Sequence, residues 1–104
     1  SNVVYLEPVS DRRLKENIQP ETLGLSFVNS LIPVTYNMIG QQRKAHGFIH
    51  DQVKPLIQGE NDSLNIVSDD GIGGLDYMSL IAPLVKSVQE LTVKVAELEA
   101  KLKG

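Results

Sequence analysis

The chain has 104 residues, enough for one domain, and its 41% hydrophobic and 22% charged residues describe globular chemistry rather than disorder. A net charge of −3, a pI near 5.2 and scattered Lys and Arg speak against a nucleic-acid-binding surface, which needs a basic face. The absence of Cys removes disulfides, thiolate metal ligands and Cys nucleophiles, and aromatic residues at only 5% leave a thin core for which oligomerisation is the expected remedy.

In chain order, residues 1–9 (SNVVYLEPV) hold a short apolar run ending at Pro8 and read as an extended segment or edge strand. Ser10 or Asp11 can cap a short helix running towards Ile18. Beyond Pro20, Leu23, Leu25, Phe27, Val28 and Leu31 share one face of a second short helix spanning 21–31. The middle of the chain reads as strands: 34–39 alternates, 47–49 is short and apolar behind the turn-prone stretch from Gly40, and 64–67 forms a third. A brief helix is expected from His50 to Leu56, ending near Pro55.

The last stretch carries the strongest signal. Ile81, Leu84, Val88, Leu91, Val95, Leu98 and Leu102 alternate spacings of three and four, the a/d seam of a coiled coil, and Tyr77 extends it by one d position. The e and g positions are mostly polar (Val85, Ser87, Thr92, Lys94, Glu99, Lys101), whereas a helix packed only on its own domain carries a broader apolar stripe. Lys94 and Glu99 are placed to pair between helices, and Glu90–Lys94 and Glu97–Lys101 to pair within one. A helix from Ser79, the candidate cap, to Lys103 is about 37 Å long, with Pro83 in its first turn. Ile and Val at a with Leu at d lean towards dimers, so the heptads give an oligomer without fixing its number.

No apolar run approaches the roughly 18 residues of a membrane span, and no secretory signal opens the chain. His46 and His50 are the only histidines; without Cys or suitably spaced carboxylates they read as loop or surface residues, and no metal site is expected. Gly71-Ile-Gly-Gly74 lacks the Lys-Ser/Thr of a phosphate loop and reads as a flexible connection, and Asp69-Asp70 as a solvated pair.

Three pieces in order carry a resemblance: Ser10-Asp-Arg-Arg-Leu-Lys15-Glu-Asn-Ile18, Gly47-Phe-Ile-His-Asp-Gln-Val53, and Leu75-Asp-Tyr-Met-Ser-Leu80 leading to Val88-Gln-Glu-Leu91. Together they resemble the C-terminal intramolecular chaperone domain of endosialidase tailspikes. That family includes phage neck-appendage and tail-fibre proteins and the autocleaving region of myelin regulatory factor. The resemblance implies an α+β fold, a small irregular head (10–76) before a coiled-coil helix (77–103), assembled as a homotrimer. It implies a chaperone that holds an upstream β-helical or fibrous stem in register, residues 1–9 being the end of that stem. It further implies self-cleavage by a Ser/Lys dyad, matched here by Ser10 and Lys15, with Val9–Ser10 as the scissile bond.

Independently of the resemblance, a Ser hydroxyl needs a base, and Lys serves only if burial or neighbouring cations lower its pKa from about 10.4. Arg12 and Arg13 supply crowding, and a Ser10 at a helix N-cap would bring backbone N–H groups near a developing oxyanion. On a regular helix, residues five apart point about 140° away from each other, so Ser10 must lie outside the helix or Lys15 must come from a neighbour. The same segment is also an ordinary capped helix start. The expected partners are further copies of the chain and its own stem, with no cofactor, nucleic acid or membrane. The setting is the host cytoplasm during virion assembly, followed by release from the tail. A permanent trimerisation module and a fragment of a membrane-tethered transcription factor are the alternatives.

Overall fold

The computed structural model describes residues 10–57, 63–67 and 70–104. It mixes short helices and strands with one long C-terminal helix: α1 (Leu25–Ser30), β1 (Val34–Tyr36), β2 (Ala45–Gly47), α2 (His50–Val53), β3 (Asn65–Val67), β4 (Gly73–Leu75) and α3 (Ile81–Lys103). The expected extended segment 1–9 lies outside the described residues.

The first expected helix contracts to a single 3-10 turn, Arg12–Leu14. Asp11 caps it by accepting the Arg13 N–H, Lys15 is extended, and Asn17 adopts a left-handed φ of 54°, so no helix reaches Ile18. The second starts at Leu25 instead of Glu21, because the Glu21 carboxylate accepts the Thr22 and Leu23 N–H groups and holds a non-helical turn. β1 stops at Tyr36, where the Asn37 amide donates to the Gln42 and Arg43 carbonyls and closes the loop.

β1 and β2 pair antiparallel with Thr35 opposite His46. β2 lies two residues earlier than the apolar run suggests, since Phe48 leaves the ladder and donates its N–H to the Tyr77 hydroxyl at 3.4 Å. α2 continues into a 3-10 turn, Lys54–Ile57, that runs through Pro55. The third expected strand is present as β3, and the Gly-rich connection proves to be its antiparallel partner β4, with Ile66 opposite Gly74. Gly73 has no side chain, and the His50 ring fills the space that one would take.

The core is small. Phe27, Ile57, Leu64 and Leu80 form the buried cluster, with Leu23, Val28, Leu31, Phe48 and Leu56 packed around it. Leu80 belongs to a 3-10 turn, Tyr77–Leu80, which leads into α3. That turn starts after Asp76, whose carboxylate accepts the Ser79 hydroxyl at 2.6 Å; Ser79 therefore braces the turn and does not cap the long helix. Pro83 falls in the first turn of α3, where its missing N–H has no helical acceptor to lose.

Candidate functional site

Two places carry the functional expectation: the seam of α3 and the segment around Ser10. On α3 the side facing the head is not the seam. Pro83 and Ser87 are buried, as is Leu80 just before the helix. The Ser87 hydroxyl donates to the Pro83 carbonyl at 2.8 Å, so burial leaves it satisfied. Glu90 reaches across to α1 and accepts the Leu25 N–H at 3.2 Å, supplying the cap that Gly24 lacks. A Cβ at Gly24 would collide with the Glu90 carboxylate, so glycine here is a condition of the contact. Glu90 is thereby directed to the head, and neither Glu90–Lys94 nor Glu97–Lys101 forms an ion pair among the described residues.

The seam lies roughly 100° around the axis from this buried face. Ile81, Leu84, Val88, Leu91, Val95, Leu98 and Leu102 are all exposed, Leu84 at 47% and Leu102 at 87%. Every residue from Leu91 onward is exposed. Single apolar residues on a surface need no explanation, but a continuous stripe along a helix marks an interaction face. Tyr77 departs from the simple heptad picture. Its ring packs at 6.0 Å from that of Phe48, and its hydroxyl lies 2.5 Å from where a Cβ on Gly47 would sit. It joins the top of the helix to the head while remaining 45% exposed.

Around Ser10 the structure is open. Asp11, not Ser10, is the cap, so the first-turn N–H is committed to the Asp11 carboxylate and not turned towards Ser10. Arg13 is committed too: its guanidinium makes a two-point contact with Asp11 at 2.9 and 3.2 Å, holding that carboxyl below its ordinary pKa. Cationic crowding near Lys15 is thus partly neutralised. Ser10 lies outside the turn, Lys15 closes it, both are exposed, and no hydrogen bond joins them. Val9, the other side of the expected scissile bond, lies outside the described residues.

The histidines differ from each other. His46 is exposed on β2, but His50 is not a surface residue: its side chain is 17% exposed, and its ring fits against Gly73. Its Nε2 is buried without a hydrogen-bond partner, while Nδ1 lies 3.4 Å from Asp51. Sequence reasoning missed the contacts Gly24–Glu90, Gly47–Tyr77 and Gly73–His50. Their only trace in the sequence is the glycine itself, which does not say which side chain it admits.

With this geometry in place, comparison with known proteins gives one match, over just under half of the chain. Residues 10–60 match the chaperone of endosialidase family. The matched segment contains the Ser10–Ile18 and Gly47–Val53 pieces, and the entry to α3 lies beyond it. The family bears a peptidase name beside its description as a chaperone of endosialidase. No curated protein and no solved structure matches the chain.

Proposed function

We propose that this domain is an intramolecular chaperone that trimerises through α3, sets the register of an upstream β-helical tail-fibre or tailspike stem, and then frees itself by Ser/Lys autoproteolysis. The observation that carries the reading is the division of α3: one face is filled by its own head, and an unbroken apolar seam is left open. The match at 10–60 supports the chaperone role, and Ser10 and Lys15 supply the dyad at the head's beginning.

The physics of the role is direct. Association through short-range helical contacts raises the effective concentration of the attached stems before slow, non-local β winding begins. Cleavage of Val9–Ser10 then removes the route by which the stem could unwind with its chaperone, leaving it kinetically stable. In the reaction the Ser10 hydroxyl attacks the Val9 carbonyl and its proton passes to the Lys15 amine. The protonated lysine returns a proton to the departing Ser10 amine, and water hydrolyses the ester. Assembly would take place in the host cytoplasm, with the freed domain absent from the finished tail.

A permanent trimerisation module has one observation in its favour, the absence of a hydrogen bond between Ser10 and Lys15 in the single chain. A longer chain carrying its natural stem, expressed as wild type, Ser10→Ala and Lys15→Ala and weighed intact, decides between the two. A fragment beginning at Ser10 from the wild type alone establishes the dyad. All three remaining uncleaved, each at its own full-length mass, removes it and leaves the permanent module.

A further inference from the structure

The helix of each copy has a second flank. At the margin of the head, Pro20 and Glu21 run alongside α3 and, with Ala82, Val85, Lys86 and Gln89, line an open groove. Val85 is the one aliphatic residue among the e and g positions of α3, and it stands 50% exposed in that groove.

The heptad decides what meets it. With Ile81 at a, Ser87 and the preceding Leu80 are g, Pro83 and Glu90 are c, and Val85 is e. In a parallel assembly the g side of one helix lies beside the e side of the next. In this chain the g side is occupied along the first turns by the chain's own α1, held there by the Glu90 cap on Leu25. The neighbour's e side therefore faces a head and not a bare helix.

We propose that the groove at Pro20, Ala82 and Val85 receives α1 of the adjacent copy, together with Ile32 just past its end, so that heads and helices interlock around the assembly. This rests on the self-association proposed above and adds to it an interface outside the seam. The chemistry of the two surfaces agrees. α1 (LSFVNS) carries no charge, so no ion is stripped of water on its side. Ile32 is 52% exposed, an aliphatic side chain that the single chain leaves in water. On the groove side Pro20, Ala82 and Val85 supply apolar wall, with Lys86, Gln89 and Glu21, whose carboxylate is already engaged by the Thr22 and Leu23 N–H groups, at the margin.

The chain has no Cys, which makes the contact testable by cross-linking. One full-length chain carrying Gln89→Cys is coexpressed with another of different mass tag carrying Ser26→Cys, Asn29→Cys or Ile32→Cys. A disulfide between two singly substituted chains is intermolecular by necessity. A Leu98→Cys chain, oxidised alone, reports seam pairing separately. The expected result is a mixed-tag disulfide in at least one of the three pairings, alongside seam cross-linking of Leu98→Cys. Seam cross-linking with no mixed-tag product overturns the groove contact and leaves self-association standing. No cross-linking of either kind, with a monomeric mass in sedimentation equilibrium, overturns both.

Discussion

At Asn17 a non-glycine residue sits at a φ of 54°, a conformation that Asn tolerates and β-branched residues do not. Asn17→Gly is expected to keep the melting temperature within about 1 °C or raise it slightly. Asn17→Val is expected to cost about 1–2 kcal/mol in urea unfolding. Gly47 has its constraint from outside: the Tyr77 hydroxyl occupies the space of its missing side chain. Gly47→Ala should destabilise the fold by about 1–3 kcal/mol, as overpacking does. The cost should shrink in a Tyr77→Phe background, so a double-mutant cycle in chemical denaturation reads a non-zero coupling. The Asp11 carboxyl is held below its ordinary value by Arg13, so the pairing is fully present above the usual carboxylate pKa and survives into acid that protonates a free carboxyl. It is lost as pH falls through the lowered value. In an NMR titration Arg13→Gln should return the Asp11 midpoint upward to an ordinary carboxylate.

Among the elements, legibility follows whether a pattern is local. α3 is plain in the sequence because its apolar period repeats over more than three heptads, and β3 because Ile66 and Val67 are β-branched and the stretch is bounded by turn-prone loops. β4 has no such pattern. Gly73 and Gly74 read as a loop, and only the approach of His50 and the pairing with β3 give them a strand's role. The start of α1 is hidden for the same reason. Its cap, Glu90, is supplied 65 residues further along the chain, where no local motif can announce it. That cap can be tested at the level of the helix. Glu90→Ala should cost about 1 kcal/mol and speed hydrogen exchange of the Leu25 amide, while Glu90→Gln, which keeps a carbonyl acceptor, should lose less. Around Ser10 the residues were legible as a motif but their geometry was not, since Asp11 outcompetes Ser10 for the cap position.

For the molecule as a whole, a buried cluster built on Phe27, Ile57, Leu64 and Leu80 stands beside a longer exposed stripe on α3. Placing charge in that stripe separates its two possible roles. Leu91→Lys with Leu98→Lys should lower the mass in sedimentation equilibrium towards one chain and abolish the rise of melting temperature with concentration. The head should survive, because both side chains are exposed and neither belongs to its buried cluster. α3 also runs on past the head: after Glu90 no residue is covered, and about 20 Å of helix stands in water. A free helix of that length is marginal in water, so under the proposed self-association its order would be borrowed from neighbouring copies. The tail of α3 would then act as a gauge of crowding. It would stay frayed on a solitary nascent chain and stiffen when sister chains emerge close by, so that translation from clustered ribosomes would set the moment at which assembly begins.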